Sequence, residues 1–141
     1  MSRPDIVPDG FERHFRRSGM TDPWEPLYSL TTDAAVIIGL VAGPAHANSR
    51  GFVHGGLISA LADNAMGLSC GLKLDGRGGL VTVSLAVDFL ATARIGQWLD
   101  FVTHFVKAGA TLCFAQSFVN ADGAVCARAN ATFKTVRPAS A

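Results

Sequence analysis

The stretch that decides the architecture is His54-Gly55-Gly56-Leu57-Ile58-Ser59-Ala60-Leu61-Ala62-Asp63-Asn64-Ala65-Met66-Gly67-Leu68-Ser69-Cys70-Gly71-Leu72. Apolar residues at positions 57, 58, 61, 65, 66, 68 and 72 recur with a period nearer 3.6 than 2, which predicts one α-helix. They cover so much of its circumference that other elements must enclose it. Gly76, Gly78 and Gly79 then break the chain, and the remainder falls into four strand-like runs at 80–90, 98–107, 111–120 and 124–136, joined through Gly109 and the hairpin signal Asp122-Gly123. Within 80–90, Val81, Val83, Leu85, Val87 and Phe89 alternate with Thr82, Ser84 and Asp88, so the two sets are expected on opposite faces.

Upstream of the helix, the β-branched run 36–42 reads as a buried strand and 28–32 as a short one. Residues 1–26 are polar and proline-rich. The four-residue spacing of Phe11 and Phe15 inside 9–20 predicts a short amphipathic helix with Asp9 as its N-cap. The fold class is therefore α+β, with four to six antiparallel strands wrapped around one long central helix. The expected organisation is an extension over 1–26 carrying the short helix, one domain over 27–138 and a tail over 139–141.

With 141 residues the chain has room for one hydrophobic core. Hydrophobic residues make up 49% and charged residues only 16%, which leaves few charges to cover a free monomer and points to an oligomer. A net charge of +1 without a Lys/Arg stripe excludes the electrostatic footprint of nucleic-acid binding. The longest charge-free stretch, 34–49, is broken by Gly39, Gly43, Pro44 and His46, so no membrane span is expected. The amino terminus lacks the apolar core of a secretory signal, and Cys70, Cys113 and Cys126 show no CxxC spacing. Reduced thiols in a cytoplasmic protein are the expectation.

Chemistry is expected on the helix. Asp63 is the only charged side chain from Gly55 to Leu72. It reads either as a carboxylate tied to a backbone amide or an Arg of the sheet, or as a general base or nucleophile in a desolvated setting. No Ser, Thr, Asp or Asn stands at the cap position before Gly55-Gly56. The two glycines either permit a tight turn into the helix or expose amide N–H groups that polarise a carbonyl and hold its developing oxyanion. Gly55 and Asp63 are eight residues apart, about 12 Å along a helix axis, so one small reacting centre cannot touch both in one chain. If both serve one substrate, the carboxylate comes from a second chain across a two-fold axis. His46, His54 and His104 lack any tight ligand spacing, so no metal is expected, and Cys70 reads as core.

The segment Asn48-Ser49-Arg50-Gly51-Phe52-Val53-His54-Gly55-Gly56, followed by Leu61-Ala62-Asp63-Asn64-Ala65, resembles the N-x-x-G-x-x-H-G-G-x(6)-D signature of the PaaI-like branch of the hotdog-fold acyl-CoA thioesterases. The likeness runs from about residue 27 to 136 and includes Thr82-Val83-Ser84 and Asp88-Phe89-Leu90. It implies a hotdog fold of five to six strands around the helix, two-fold dimers that pair again into tetramers, and hydrolysis of acyl-CoA at the dimer interface without metal or cofactor. Carried over, the Gly55 amide would polarise the thioester carbonyl, Asn48 and His54 would orient the site, Asp63 of the partner chain would be base or nucleophile, and Thr82 would help place the attacking water. Gly56, Phe52, Met66 and Arg50 are the corresponding substrate-binding candidates. Phe89 and the aromatics Phe11, Phe15 and Trp24 are further candidates for the acyl group, and Arg77 and Arg128 for the CoA phosphates. A non-catalytic acyl-CoA binder and a hydratase using His54 and Asp63 are the competing readings.

Overall fold

The computed structural model describes residues 6–74 and 79–136; Gly76, Arg77 and Gly78 lie outside them, as does the tail from 137. The elements in chain order are β1 (Glu12–Arg13), β2 (Tyr28–Thr31), β3 (Val36–Val41), α1 (Gly55–Lys73), β4 (Gly79–Phe89), β5 (Trp98–Ala108), β6 (Leu112–Ala121) and β7 (Ala124–Val136), with short 3-10 turns at Asp22–Trp24 and Pro44–His46. The strands form one antiparallel sheet in the order β1-β2-β3-β5-β6-β7-β4. The period-2 pattern sorts its two faces. Along β6, Cys113, Ala115, Val119 and Ala121 are buried toward the helix while Leu112, Phe114 and Phe118 face outward. Leu57, Leu61, Ala65 and Met66 of α1 fill the core against Ile38, Leu40, Leu99 and Phe101. Ser69, buried on the helix, accepts the Val36 N–H at 3.1 Å and donates to the Ala65 carbonyl at 2.7 Å, which ties α1 to the start of β3.

This is the expected hotdog arrangement with seven strands instead of five to six. The added strand is β1, and it occupies the segment in which the sequence predicts a short helix. No helix forms over 9–20. Gly10 sits at φ 92° in the left-handed region, and Glu12 and Arg13 pair with Ser29 and Tyr28 of β2. The four-residue spacing of the two phenylalanines is therefore coincidental: Phe11 is buried edge-on against Trp98 at 5.0 Å, whereas Phe15 is 61% exposed. The other boundaries agree with the periodicity to within about a residue or two. Asp122 (φ 49°) and Gly123 (φ 84°) make the two-residue turn between β6 and β7, as a type I′ hairpin requires.

Val7, Phe11, Tyr28 and Trp98 form a second, smaller apolar cluster. Gly39 of β3 makes room for it, because a Cβ there would fall inside the Trp98 ring. Gly39→Ala is expected to destabilise the fold by about 1–3 kcal/mol through overpacking, readable as a lowered denaturant midpoint with an unchanged slope.

Cys70, Cys113 and Cys126 are free and buried. Burial pushes the Cys70 and Cys126 thiols up, and for Cys70 a hydrogen bond with Cys113 adds to the effect. Thiolates are the reactive form, so an alkylating reagent at about pH 8 is expected to leave the native protein unlabelled and to label all three cysteines in denaturant. Among the described residues, no helix is long and apolar enough to cross a membrane.

Candidate functional site

Asp63 sits half-buried in the middle of α1, and its Oδ1 accepts a hydrogen bond from Thr82 Oγ1 of β4 at 2.7 Å. Strict alternation along β4 would turn Thr82 away from Leu85, Val87 and Phe89. The structure differs because β4 is bulged: Thr82 pairs with Phe133 and Ser84 with Thr132, so Val83 is an extra residue. The bulge puts Thr82 on the same face as Leu85, Val87 and Phe89, toward the helix, and Val81 on the outer face. One inserted residue thus aims a hydroxyl at the carboxylate.

Beside Asp63 and Thr82 opens a cavity of about 520 Å³. Its floor is the C-terminal half of α1, where Gly67 and Gly71 present no side chains, and its walls include Ile38, Leu80 and Phe133. The segment 14–18 and Thr21, outside the motif-bearing part of the chain, complete the lining. This segment is pinned by Glu25, whose Oε1 accepts from Arg13 Nη2 at 3.1 Å and from the Leu27 N–H at 2.9 Å. Arg17 bonds Asp22 at 3.1 Å. Burial holds the His14 imidazole below its usual range; Glu25 opposes that effect and Arg16 reinforces it.

The N-terminus of α1 is organised differently from the uncapped pair of glycines expected. His54 is the N-cap, and its own Nδ1 accepts the Gly56 N–H at 2.8 Å. Nδ1 then carries no proton, and Nε2 is the ring's remaining donor. Among the described residues no partner is found for the Gly55 N–H or the Leu57 N–H, and the Gly55 amide, at the first helical position, is open to a ligand. Phe89 lies over it: a Cβ on Gly55 would stand 3.1 Å from Phe89 Cζ. The loop before the helix is built by Asn48, whose Oδ1 accepts the N–H groups of Arg50 at 2.9 Å and Phe52 at 3.1 Å, leaving Nδ2 as its donor. Arg50 and Arg94 both stand near the Phe52 ring, 5.8 and 6.0 Å from its centroid.

Within one chain the structure gathers two separate groups. Asp63 and Thr82 share the cavity, whereas Asn48, Phe52, His54, Gly55, Gly56 and Arg50 cluster at the helix N-terminus. The eight-residue separation on one straight helix keeps them about 12 Å apart. Four candidates move elsewhere, among them Trp24, which packs partly buried against the main core and does not line the cavity. Met66 is fully buried in the core because it points into the sheet, and it does not line the cavity. Arg128 lies on the outer face and bonds Asp88 at 2.9 Å. Phe11 packs in the smaller cluster. Arg77 falls outside the described residues. Of the remaining histidines, His46 accepts the Gly43 N–H at 2.9 Å and so donates from Nε2 to the Trp24 carbonyl at 2.8 Å, a structural pin. His104 stacks on Phe118 at 4.4 Å. Among the described residues no group of three His, Cys, Asp or Glu side chains could hold a metal ion. Sequence reasoning missed His14 and Arg94. Neither carries a motif, and both reach their places through pairings distant in sequence, Phe52 with Arg94 and the His14 N–H with the Leu27 carbonyl at 2.9 Å.

Comparison with known proteins adds to this geometry. Residues 50–127 match the family described as "Thioesterase superfamily". "Putative esterase PA0474" of Pseudomonas aeruginosa is 32% identical over 128 residues, spanning 90% of this chain and 96% of the relative. "Acyl-coenzyme A thioesterase 13" of Mus musculus is 36% identical over 72 residues, and that match spans 50% of this chain and 49% of the mouse protein. The N33D variant of the phenylacetic acid degradation protein PaaI from Thermus thermophilus superposes with a TM-score of 0.70 at 21% identity, over 78% of this chain and 93% of that one. At that identity the superposition speaks for the fold.

Proposed function

This chain belongs to the thioesterase superfamily, and from that premise we propose that it hydrolyses an acyl-CoA thioester to the free acid and CoA, at a site completed by two copies of the chain. The observation that carries the reading is the pairing of Asp63 with Thr82 on a cavity, on the same helix whose N-terminus leaves the Gly55 amide unpartnered. A carboxylate and an oxyanion donor are the two groups that acyl transfer to water needs, and their spacing along one helix calls for a second chain. The name of the mouse relative supports acyl-CoA as the substrate class.

The edge of the sheet supports the second copy. β4 pairs with β7 on one side only. Val81, Val83, Leu85 and Phe89 of that strand are exposed, an apolar edge that a lone domain would be expected to protect. A homodimer joined along this edge places two helices side by side, and pairing of two such dimers gives a tetramer.

In the proposed step, Gly55 N–H polarises the thioester carbonyl, and Asn48 Nδ2 and His54 Nε2 orient the thioester. Asp63 from the partner chain takes a proton from water on Oδ2 while Thr82 holds Oδ1. The water oxygen bonds to the carbonyl carbon, and the resulting oxyanion rests on the amide. Collapse breaks the carbon–sulfur bond, and the thiolate of CoA leaves with the proton returned from Asp63. Phe52, Gly56 and Arg50, with Arg94, meet the CoA portion.

The test is thiol release across a panel of aryl, short, medium and long acyl-CoAs. Turnover of at least one, saturable and dependent on Asp63, is expected. Saturable binding of every ester without thiol release would replace hydrolysis with a non-catalytic acyl-CoA carrier, and hydration of an enoyl-CoA without thiol release would point to a hydratase.

A further inference from the structure

One wall of the chamber beside Asp63 is a short chain reversal between β1 and β2. It lines the cavity through residues 14–18 and Thr21 and returns through Leu27. The His14 N–H donates to the Leu27 carbonyl at 2.9 Å, and the Leu27 N–H donates to Glu25 Oε1 at 2.9 Å. Its large apolar side chains Phe15 and Met20 are exposed, so polar contacts rather than core burial hold this wall in place.

Within the wall, His14 Nδ1 is buried and has no hydrogen-bond partner. The neutral ring therefore keeps its proton on Nε2, and a second proton lands on Nδ1, where it becomes a buried donor with no acceptor. The surrounding charges do not relieve it. Arg13, Arg16 and Arg17 lie on the same segment, and the return strand carries Asp22 and Glu25. Both acids are already engaged: Arg13 bonds Glu25 Oε1 and Arg17 bonds Asp22, each at 3.1 Å, and Arg17 Nε stands 3.8 Å from Glu25 Oε2. From α1 the only charged lining group is Asp63, held by Thr82, and β3, β4 and β7 line the cavity with uncharged residues. Glu25 Oε2 is buried and without a hydrogen bond, as His14 Nδ1 is. The two atoms are thus out of bonding reach of each other, and a charged ring gains this acceptor, or water, only if the wall moves.

We propose that residues 14–21 form an acid-released wall of the chamber, with His14 as its proton sensor. Burial, the largest influence, and Arg16 disfavour the charged ring, while Glu25 favours it. The net direction is downward, so the closed wall keeps its stability above the ordinary imidazole value of 6.5 and loses it as the pH falls below that value. Release uncovers the chamber from the side opposite Leu80 and Thr82 of β4.

The experiment is amide hydrogen exchange of the ligand-free protein at about pH 7.5 and about pH 5, corrected for the pH dependence of chemical exchange. The probes are the N–H groups that close the wall: His14 to the Leu27 carbonyl, Asp22 to the Ser18 carbonyl and Trp24 to the Thr21 carbonyl. Their protection should fall by about tenfold at the lower pH while that of β6 and β7 holds. His14→Gln, uncharged at both pH values, should abolish the loss. Arg16→Gln should shrink it, since one like charge beside the ring is gone. Should His14→Gln weaken the wall at both pH values, Arg16→Gln decides alone. No loss in the wild-type protein, an undiminished loss in Arg16→Gln, a full loss in His14→Gln, or a loss shared by β6 and β7 would overturn the proposal. The readout needs no substrate, so its failure leaves the hydrolysis reading standing, and the failure of hydrolysis leaves the wall standing.

Discussion

Replacing Asp63 by Asn should lower kcat by about two to four orders of magnitude while leaving the fold in place. The substitution is nearly isosteric, and the Asn carbonyl oxygen can still accept from Thr82 Oγ1, the bond now 2.7 Å long. What disappears is the ability to take a proton from water. KM should change little, because Asp63 stands at the reacting end of the chamber and adds no uniform binding. Circular dichroism and the denaturant midpoint should match the wild-type protein. Asp63→Ala makes a harsher comparison, since it also orphans the Thr82 hydroxyl. Unchanged hydrolysis by Asp63→Asn across several acyl-CoAs would remove the carboxylate from the mechanism. If Asp63 activates water, turnover in heavy-oxygen water should label the product acid alone; label in the Asp63 peptide would mean that the carboxylate attacks the carbonyl itself.

Much of this architecture was legible in the residues because each element announces itself locally. The helix is marked by its apolar period, β5 to β7 by strand-like runs at regular intervals, and the β6–β7 turn by Asp122-Gly123, whose positive φ values are the ones that dipeptide favours. Where local rules compete with distant pairing, legibility ends. Phe11 and Phe15 have helical spacing, yet strand addition to β2 wins at Glu12–Arg13. Alternation along β4 assigns Thr82 to the wrong face, because a bulge at Val83 has no sequence mark of its own. Of the site, the loop motif and Asp63 were readable. The cap was misread because His is an uncommon N-cap, although its Nδ1 serves. Met66 shows the limit of composition: an apolar side chain on an enclosed helix suits a core or a pocket equally, and only its angular position decides. His14 enters the cavity through chain reversal over 14–27, a path written in no motif.

Gly55→Pro should separate the amide from the helix it begins. Gly55 is the first residue of α1, the position at which proline is best tolerated, since that N–H lies outside the intrahelical ladder. His54 before it is already extended, at φ −68° and ψ 135°, as a residue preceding proline must be. The new ring atoms would press on the end of the Phe89 ring, which has to give by only about a few tenths of an ångström. Helix content should therefore persist while the donor is deleted, and kcat should fall by about 10²- to 10³-fold, the loss typical of one oxyanion contact. Mixing then tests whether the site is shared. A heterodimer of a Gly55→Pro chain and an Asp63→Asn chain holds one site carrying both substitutions and one carrying neither, because each site takes its amide from one chain and its carboxylate from the other. Equal random mixing makes half the dimers mixed, so about a quarter of wild-type activity should return after the two inactive proteins are unfolded and refolded together. If amide and carboxylate acted within one chain, every site in every dimer would be damaged and the mixture would stay as inactive as its parts.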